Sequence, residues 1–232
     1  MSKQVLVVAA HPDDEVLGCG GTSAWHVARG DNVHVLIVAE GATSRGAERD
    51  TTADAAALSA LQDAARGAAS ALGTEPPLFG GLPDNRLDTV PLLDVVKLVE
   101  ATAEAVKPKI VYTHHAGDLN VDHQVVARAV ATAFRPLPGA SARTIYSFET
   151  VSSTEWAIGQ SAASSVFQPT RFVDVSAHLD AKAAALECYA MEMRPFPHAR
   201  SVEAIEALAR VRGASVGLAA AEAFGVCREI AQ

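Results

Sequence analysis

VLVVAAHPDDEVLGCGG, residues 5–21, is the stretch whose reading decides the fold. Residues 5–10 are continuously apolar and rich in valine, the pattern of a strand buried on both faces. The run breaks at His11-Pro12-Asp13-Asp14-Glu15, and Gly18, Gly20 and Gly21 follow. These glycines would let the chain pass closely under a bound group. A helix is expected over about 22–28, stopped by Arg29-Gly30-Asp31-Asn32, and a second strand over 33–39, VHVLIVA. Strand, helix and strand in this order predict a right-handed βαβ unit.

The same alternation continues downstream. Residues 40–52 read as a loop, and an Ala-rich helix over 52–72 ends at Gly73, a natural residue for a helix terminus. An extended piece is expected at 78–79, loop chemistry over 80–89, and a helix over 91–106 with Pro91 in its first turn. Residues 110–113 form the next parallel strand, followed by a polar loop over 114–120 and a helix over 122–134. Strands over 144–148 and 171–174 and helices over 176–189 and 202–209 complete the reading, with strand-turn and helix both open beyond Arg212. The predicted class is α/β, a three-layer arrangement with a mainly parallel sheet forming one domain over 1–232. In such sheets ligands sit at the carboxyl ends of strands, so site residues should fall just after strands.

The chain has 232 residues, 49% of them hydrophobic and 20% charged, enough for a sizeable core. With 5% aromatic residues, that core is expected to be aliphatic. A net charge of −8 without a cluster of Lys and Arg argues against nucleic acid as a partner. Apolar runs are short or broken by charge, which predicts no membrane insertion, and no secretory signal follows the start. Cys19, Cys188 and Cys227 match no zinc-finger spacing and are read as buried, reduced thiols of a cytoplasmic protein. Self-association is left open.

HPDDE packs an imidazole and three carboxylates at one strand end. Like charges there raise each other's pKa, and a divalent cation removes that cost. Imidazole with carboxylate is a zinc-type donor set, although another divalent metal fits it too. The 110–113 strand is followed by His114, His115, Asp118, Asn120, Asp122 and His123. If the two strands are neighbours, these groups converge on HPDDE. His11, Asp14 and His123 are assigned as ligands of one zinc, with Asp13 beside them as the base that activates water. Asp122, a favoured N-cap type, would also hold an imidazole in place. His114 and His115 flank the site; His26, His34 and His178 read as ordinary core or surface histidines.

AHPDDEVLGCGG after an apolar strand resembles the signature of the PIG-L or LmbE-like deacetylases. GDLNVDHQVVARAV at 117–130, LPDNRLD at 82–88 and AEAF at 221–224 extend the likeness over most of the chain. The resemblance implies a Rossmann-like fold and zinc-dependent removal of an acyl group, usually acetyl, from an amino sugar or related small molecule. By motif position it places the metal on His11, Asp14 and His123, the general base on Asp13, and an acidic partner at Asp122. Many members carry a histidine three positions before the last ligand, where this chain has Asn120. Asn120 can donate to an oxyanion but cannot transfer a proton, so the amine's proton is expected from Asp13 or from His198.

The expected activity is therefore removal of an N-acetyl group from an amino sugar or its conjugate, nucleotide-linked ones included. Arg45, Asp118, Asn120 and His198 are assigned to the substrate, and Trp156 and Phe167 are candidates for stacking on a sugar ring. The pocket is expected to be shaped by loops 40–52, 80–90, 150–170 and 190–201. Rival readings are a zinc amidase acting on another N-acyl or thiol conjugate and a non-catalytic metal- or nucleotide-binding Rossmann-like protein. The nucleotide reading conflicts with HPDDE, whose negative charge and wrong glycine spacing would repel a pyrophosphate.

Overall fold

The computed structural model describes residues 2–46, 48–157 and 166–231. Strands β1 (Gln4–Ala9), β2 (Asn32–Ala39), β3 (Leu78–Leu82), β4 (Ile110–His114), β5 (Thr144–Phe148), β6 (Arg171–Asp174) and β7 (Ala221–Glu229) form one sheet. Helices α1 (Asp14–Ala28), α2 (Ala55–Leu72), α3 (Leu92–Val106), α4 (Val121–Ala133), α5 (Leu179–Cys188) and α6 (Val202–Ala214) cover it. The strand order is β3-β2-β1-β4-β5-β7-β6. Pairing from β3 through β5 is parallel, and β7 runs antiparallel between β5 and β6. The expected α/β class with a mostly parallel sheet is what is observed.

Period-two alternation along β1 builds two cores. Val5 and Val7 pack with Val16 and Leu17 of α1 and with side chains of α2, α5 and α6. Leu6 and Val8 face Val95, Val96 and Val99 of α3 and Val126 and Val130 of α4. A strand buried on both sides needs apolar residues at every position, which is why VLVVAA shows no polar alternation. The core is less purely aliphatic than composition suggested: Tyr112, Tyr189, Phe148 and Phe224 are among its largest fully buried side chains.

Several expected boundaries shift. The glycine stretch is not a loop before a helix, because α1 starts at Asp14 and runs through it, kinked at Cys19 (φ −151°, ψ 28°). Its glycines serve packing on the sheet rather than approach to a ligand. A Cβ on Gly18 would lie 2.2 Å from Phe148 Cδ2, and one on Gly21 would lie 3.0 Å from Val175. The kink frees N–H groups that a helix would use internally. Glu222 Oε1 and Oε2 accept them from Gly21 and Thr22 at 2.9 and 2.7 Å, as a carboxylate does at a helix N-terminus. Lys182 Nζ balances this buried charge at 2.6 Å and also donates to Leu17 O. The AEAF segment thus has a structural meaning: Glu222 caps the second half of α1 from β7.

Past Arg212, α6 runs on to Ala214 and the chain then forms β7. The helix N-cap at α4 is Asn120 rather than Asp122, with Asn120 Oδ1 accepting Asp122 N–H at 2.8 Å. Cys19 is buried as expected, whereas Cys188 is half-buried and Cys227 exposed. No helix among the described residues is long and apolar enough to cross a membrane.

Candidate active site

Strand order reverses at β1 and β4. From β1 the chain steps outward to β2 and β3, and from β4 it steps the other way to β5. The loops leaving these two neighbours diverge and open a crevice at their carboxyl ends. HPDDE leaves β1 into it, and residues 115–123 leave β4 into it. The condition set by sequence, that the two strands be adjacent, is met by β1–β4 pairing, with Val5 opposite Ile110 and Val8 opposite Thr113.

There, donor atoms of His11, Asp14 and His123 lie within 4.8 Å of one another. Asp14 Oδ2 is 3.2 Å from both His11 Nδ1 and His123 Nε2. Asp14 Oδ1 is buried and has no hydrogen-bond partner among the described residues. A buried carboxylate oxygen left bare is costly. A cation held by two imidazoles and this carboxylate would satisfy it, so the residues fit a zinc-type metal.

The electrostatics agree. Burial works to lower the pKa of His11, but hydrogen bonds to Asp122 and Asp14 raise it to about 10. Burial likewise opposes protonation of His123, whose pKa the Asp14 and Asp118 carboxylates lift to about 9. Burial would raise Asp14, yet the imidazoles of His123, His114 and His11 hold it well below the carboxylate range. Without a metal, protons on the imidazoles thus supply the positive charge.

Each imidazole is oriented from behind. His11 Nε2 donates to Asp122 Oδ2 at 3.0 Å, and Asp84 Oδ1 lies 3.4 Å from the same nitrogen. Asp122 Oδ1 accepts the Leu87 N–H at 2.9 Å. His123 Nδ1 lies 3.1 Å from Asp118 Oδ1. Such carboxylate–imidazole contacts select the tautomer and raise ligand basicity. Asp118, expected at the substrate, is fully buried and also accepts from Ser153 Oγ and from Thr154 Oγ1 at 2.5 Å. Burial raises its pKa, and the His123 contact and these hydroxyls pull it down to about 2.

Asp13 adjoins the donor group without belonging to it. Its backbone holds φ 105°, ψ −30°, a conformation that costs an L-residue energy and persists only where neighbours enforce it. Glu15 Oε2 accepts the Asp13 N–H at 3.1 Å, while Glu15 Oε1 accepts Tyr189 OH at 2.6 Å. Arg200 Nη1 donates to Asp13 Oδ2 at 2.9 Å. Burial pushes Asp13 well above the usual range, with Arg200 opposing and Asp14 and Glu15 adding to the rise. Burial also raises Glu15 to about 7 against the Tyr189 hydrogen bond.

The remaining expected residues are placed differently. Asn120 spends its amide on structure: Oδ1 caps α4 and Nδ2 donates to Asn85 Oδ1 at 2.9 Å. His198 does not touch Asp13; its Nδ1 accepts the Arg200 N–H at 3.0 Å, and its ring meets Trp156 edge-on. Arg45 pairs with Glu192 at the rim, its side chain more than half exposed. His114 stacks on His123 at 3.9 Å and accepts the Ala10 N–H at Nε2. Its proton is therefore on Nδ1, facing Thr150 Oγ1, and burial with the His123 charge holds its pKa well below normal. His115 faces Phe167 and His26 bridges Asp31 and Tyr112. Of the loops expected to shape the pocket, residues 47 and 158–165 lie outside the described residues.

The contacts of Asp84, Tyr189 and Arg200 with this constellation were not expected from the sequence, and Glu15, counted there in HPDDE, was given no role of its own. Asp84 had a signal, since it sits in LPDNRLD just after β3, at the same sheet edge as HPDDE. Arg200 and Tyr189 had none, because their partners lie 187 and 174 positions away.

The comparisons with known proteins agree with this geometry. A 4-oxalmesaconate hydratase of Pseudomonas putida is 29% identical over 205 residues, 81% of this chain and 73% of that protein. The N,N'-diacetylchitobiose deacetylase of Pyrococcus horikoshii shares the fold with a TM-score of 0.76, at 18% identity, over 98% of this chain and 84% of that one. The zinc-inhibited form of the teicoplanin deacetylase Orf2 gives 0.72, at 18% identity, over 98% and 99%. The family model for PIG-L, GlcNAc-PI de-N-acetylase, matches residues 6–134, more than half of the sequence and both strand ends of the site, and the chain belongs to that family.

Proposed function

We propose that residues 1–232 act as one catalytic domain, a zinc-dependent hydrolase that removes an N-acetyl group from an amino sugar or amino-sugar conjugate. The observation that carries this reading is Asp13: a strained, buried carboxylate beside three zinc-type donors, not among them, and held by Arg200. A purely structural site has no use for such a group. His11, Asp14 and His123 would hold the zinc, which when bound supplies Lewis acidity and lowers the pKa of water toward ~7.

The chain's own residues do the rest. Asp13 takes the proton of the attacking water, and Arg200 on Oδ2 fixes the carboxylate's direction. Protonated Asp13 then returns that proton to the departing amine nitrogen. His114 Nε2 already accepts the Ala10 N–H, an amide such as Asn120 transfers no proton, and His198 faces Trp156, so Asp13 is the donor the site supports best. The test is zinc analysis together with acetate release from N-acetylated sugars. Asp13→Asn is expected to keep the metal and lose turnover by about 10²–10⁴-fold; full activity would overturn the base assignment.

A second reading, a hydratase, is favoured by the relative of that activity. Adding water to a carbon–carbon double bond expels no amine: the oxygen of water would bond to one alkene carbon, and the proton that Asp13 takes from it would be returned to the other. Loss of ultraviolet absorbance of an unsaturated dicarboxylate, with no acetate release from any N-acetyl sugar, would select it.

A further inference from the structure

Helices cover the two faces of the sheet unevenly. Val126 and Val130 of α4 share one core with Val111 of β4 and Ile145 of β5. Phe224 of β7 belongs to the other core, with Val16 of α1 and Ile205 of α6. On the first face, a cavity of about 580 Å³ lies between α4, β5, β7 and residues 166–170. Small residues leave that space: Ala127 and Ala131 on α4, Ser147 on β5, and Gly225 on β7, where an added Cβ would lie 2.6 Å from Ser147 Oγ. Val130, Ile145 and Phe167 supply apolar wall. The volume is that of a small-molecule site, ~300–1,000 Å³. His11, Asp13, Asp14 and His123 do not line it.

The charge in its walls is one-sided. Among the described residues no Asp or Glu lines the cavity, and its single guanidinium is that of Arg228. Arg228 Nη1 donates at 2.7 Å to the carbonyl oxygen of Phe134, where α4 ends, and Nη2 donates to that of Ala142 at 3.3 Å. Its Nε is buried with no hydrogen-bond partner among the described residues. Carbonyl dipoles orient a guanidinium but do not neutralise it, and a bare buried donor is costly. A carboxylate answers both needs, because it brings the opposite charge and accepts charge-assisted hydrogen bonds.

We propose that this cavity is a second ligand site, which binds a small carboxylic acid with an apolar body. The body lies along α4 and Phe167, and the carboxylate meets Arg228. A neutral apolar compound would leave the guanidinium unanswered, and a polyanion would meet only one cation. The site takes no part in hydrolysis or hydration, so it stands independently of both readings of the active site.

Cys227 lines the cavity and is exposed, whereas Cys19 is buried, so in Cys188→Ala protein Cys227 is the thiol that a reagent reaches. Zinc-loaded protein of this background is alkylated with iodoacetamide, a neutral reagent, at increasing concentrations of 4-phenylbutyrate or of 4-phenyl-1-butanol. The acid is expected to slow alkylation of Cys227 saturably, and the alcohol to need about tenfold higher concentration for the same protection. Arg228→Met, checked for folding by thermal melting, should remove the acid's advantage. An alkylation rate independent of 4-phenylbutyrate, or equal protection by the alcohol, overturns the proposal. Protection that instead rises with protein concentration and ignores 4-phenylbutyrate marks this face as a contact between copies of the chain and also overturns it.

Discussion

Removing protons from the proposed metal site is the sharpest test of its electrostatics. Without metal, His11 has a pKa of about 10 and His123 of about 9, so at pH 7 both imidazoles are charged. Metal ligation requires both to be neutral. Zinc uptake at pH 7 should therefore release about two protons, whereas two imidazoles with an ordinary pKa near 6.5 would release about half a proton in total. Zinc affinity should rise about a hundredfold per pH unit from 7 to 8, and about tenfold per unit above pH 9 once His123 is already neutral. Stability of the metal-free protein follows the same groups with opposite sign. Both pKa values are raised above their unfolded value, so the stabilisation is complete below pH ~6.5 and is lost as pH rises through 9 to 10. The assay is calorimetric titration of chelator-stripped protein with zinc in buffers of different ionisation heat, paired with melting curves from pH 6 to 10. Release of about half a proton, or an affinity independent of pH, would refute the reasoning.

Three further outcomes follow from the same contacts. Asp118→Asn removes the carboxylate behind His123 and should weaken zinc binding about 10- to 100-fold, read by competition with a chelating dye. Glu222→Gln leaves Lys182 buried without its counter-charge and should cost about 3–5 kcal/mol in urea unfolding, part of which Lys182→Met in the same chain restores. Gly18→Ala drives a methyl group into the Phe148 ring, 2.2 Å from the added Cβ, and should cost about 1–3 kcal/mol by thermal melting.

The fold was legible wherever the pattern was local. The valine run of β1, the Gly73 stop of α2 in the left-handed conformation, and the strand–helix alternation all depend on neighbours within one element. Misreadings came where distant chain intervenes. Gly18, Gly20 and Gly21 resemble a loop in sequence. They are helical because Phe148 and Val175 leave no room for side chains and Glu222 satisfies the N–H groups the kink exposes. The α4 cap is Asn120 rather than Asp122, because its Oδ1 accepts the Asp122 N–H.

By itself, the sequence determined the three donors His11, Asp14 and His123 and the carboxylate beside them. Two short motifs carry them, and parallel-sheet geometry sends both motifs to the same edge. Only the tertiary structure decided what surrounds that carboxylate. Arg200 and Glu15 hold Asp13, Tyr189 holds Glu15, and Asp118 stands behind His123. Apart from Glu15, these partners come from loops far along the chain. Their contacts exist because the sheet brings β1, β4 and β5 together, and no local periodicity encodes that approach.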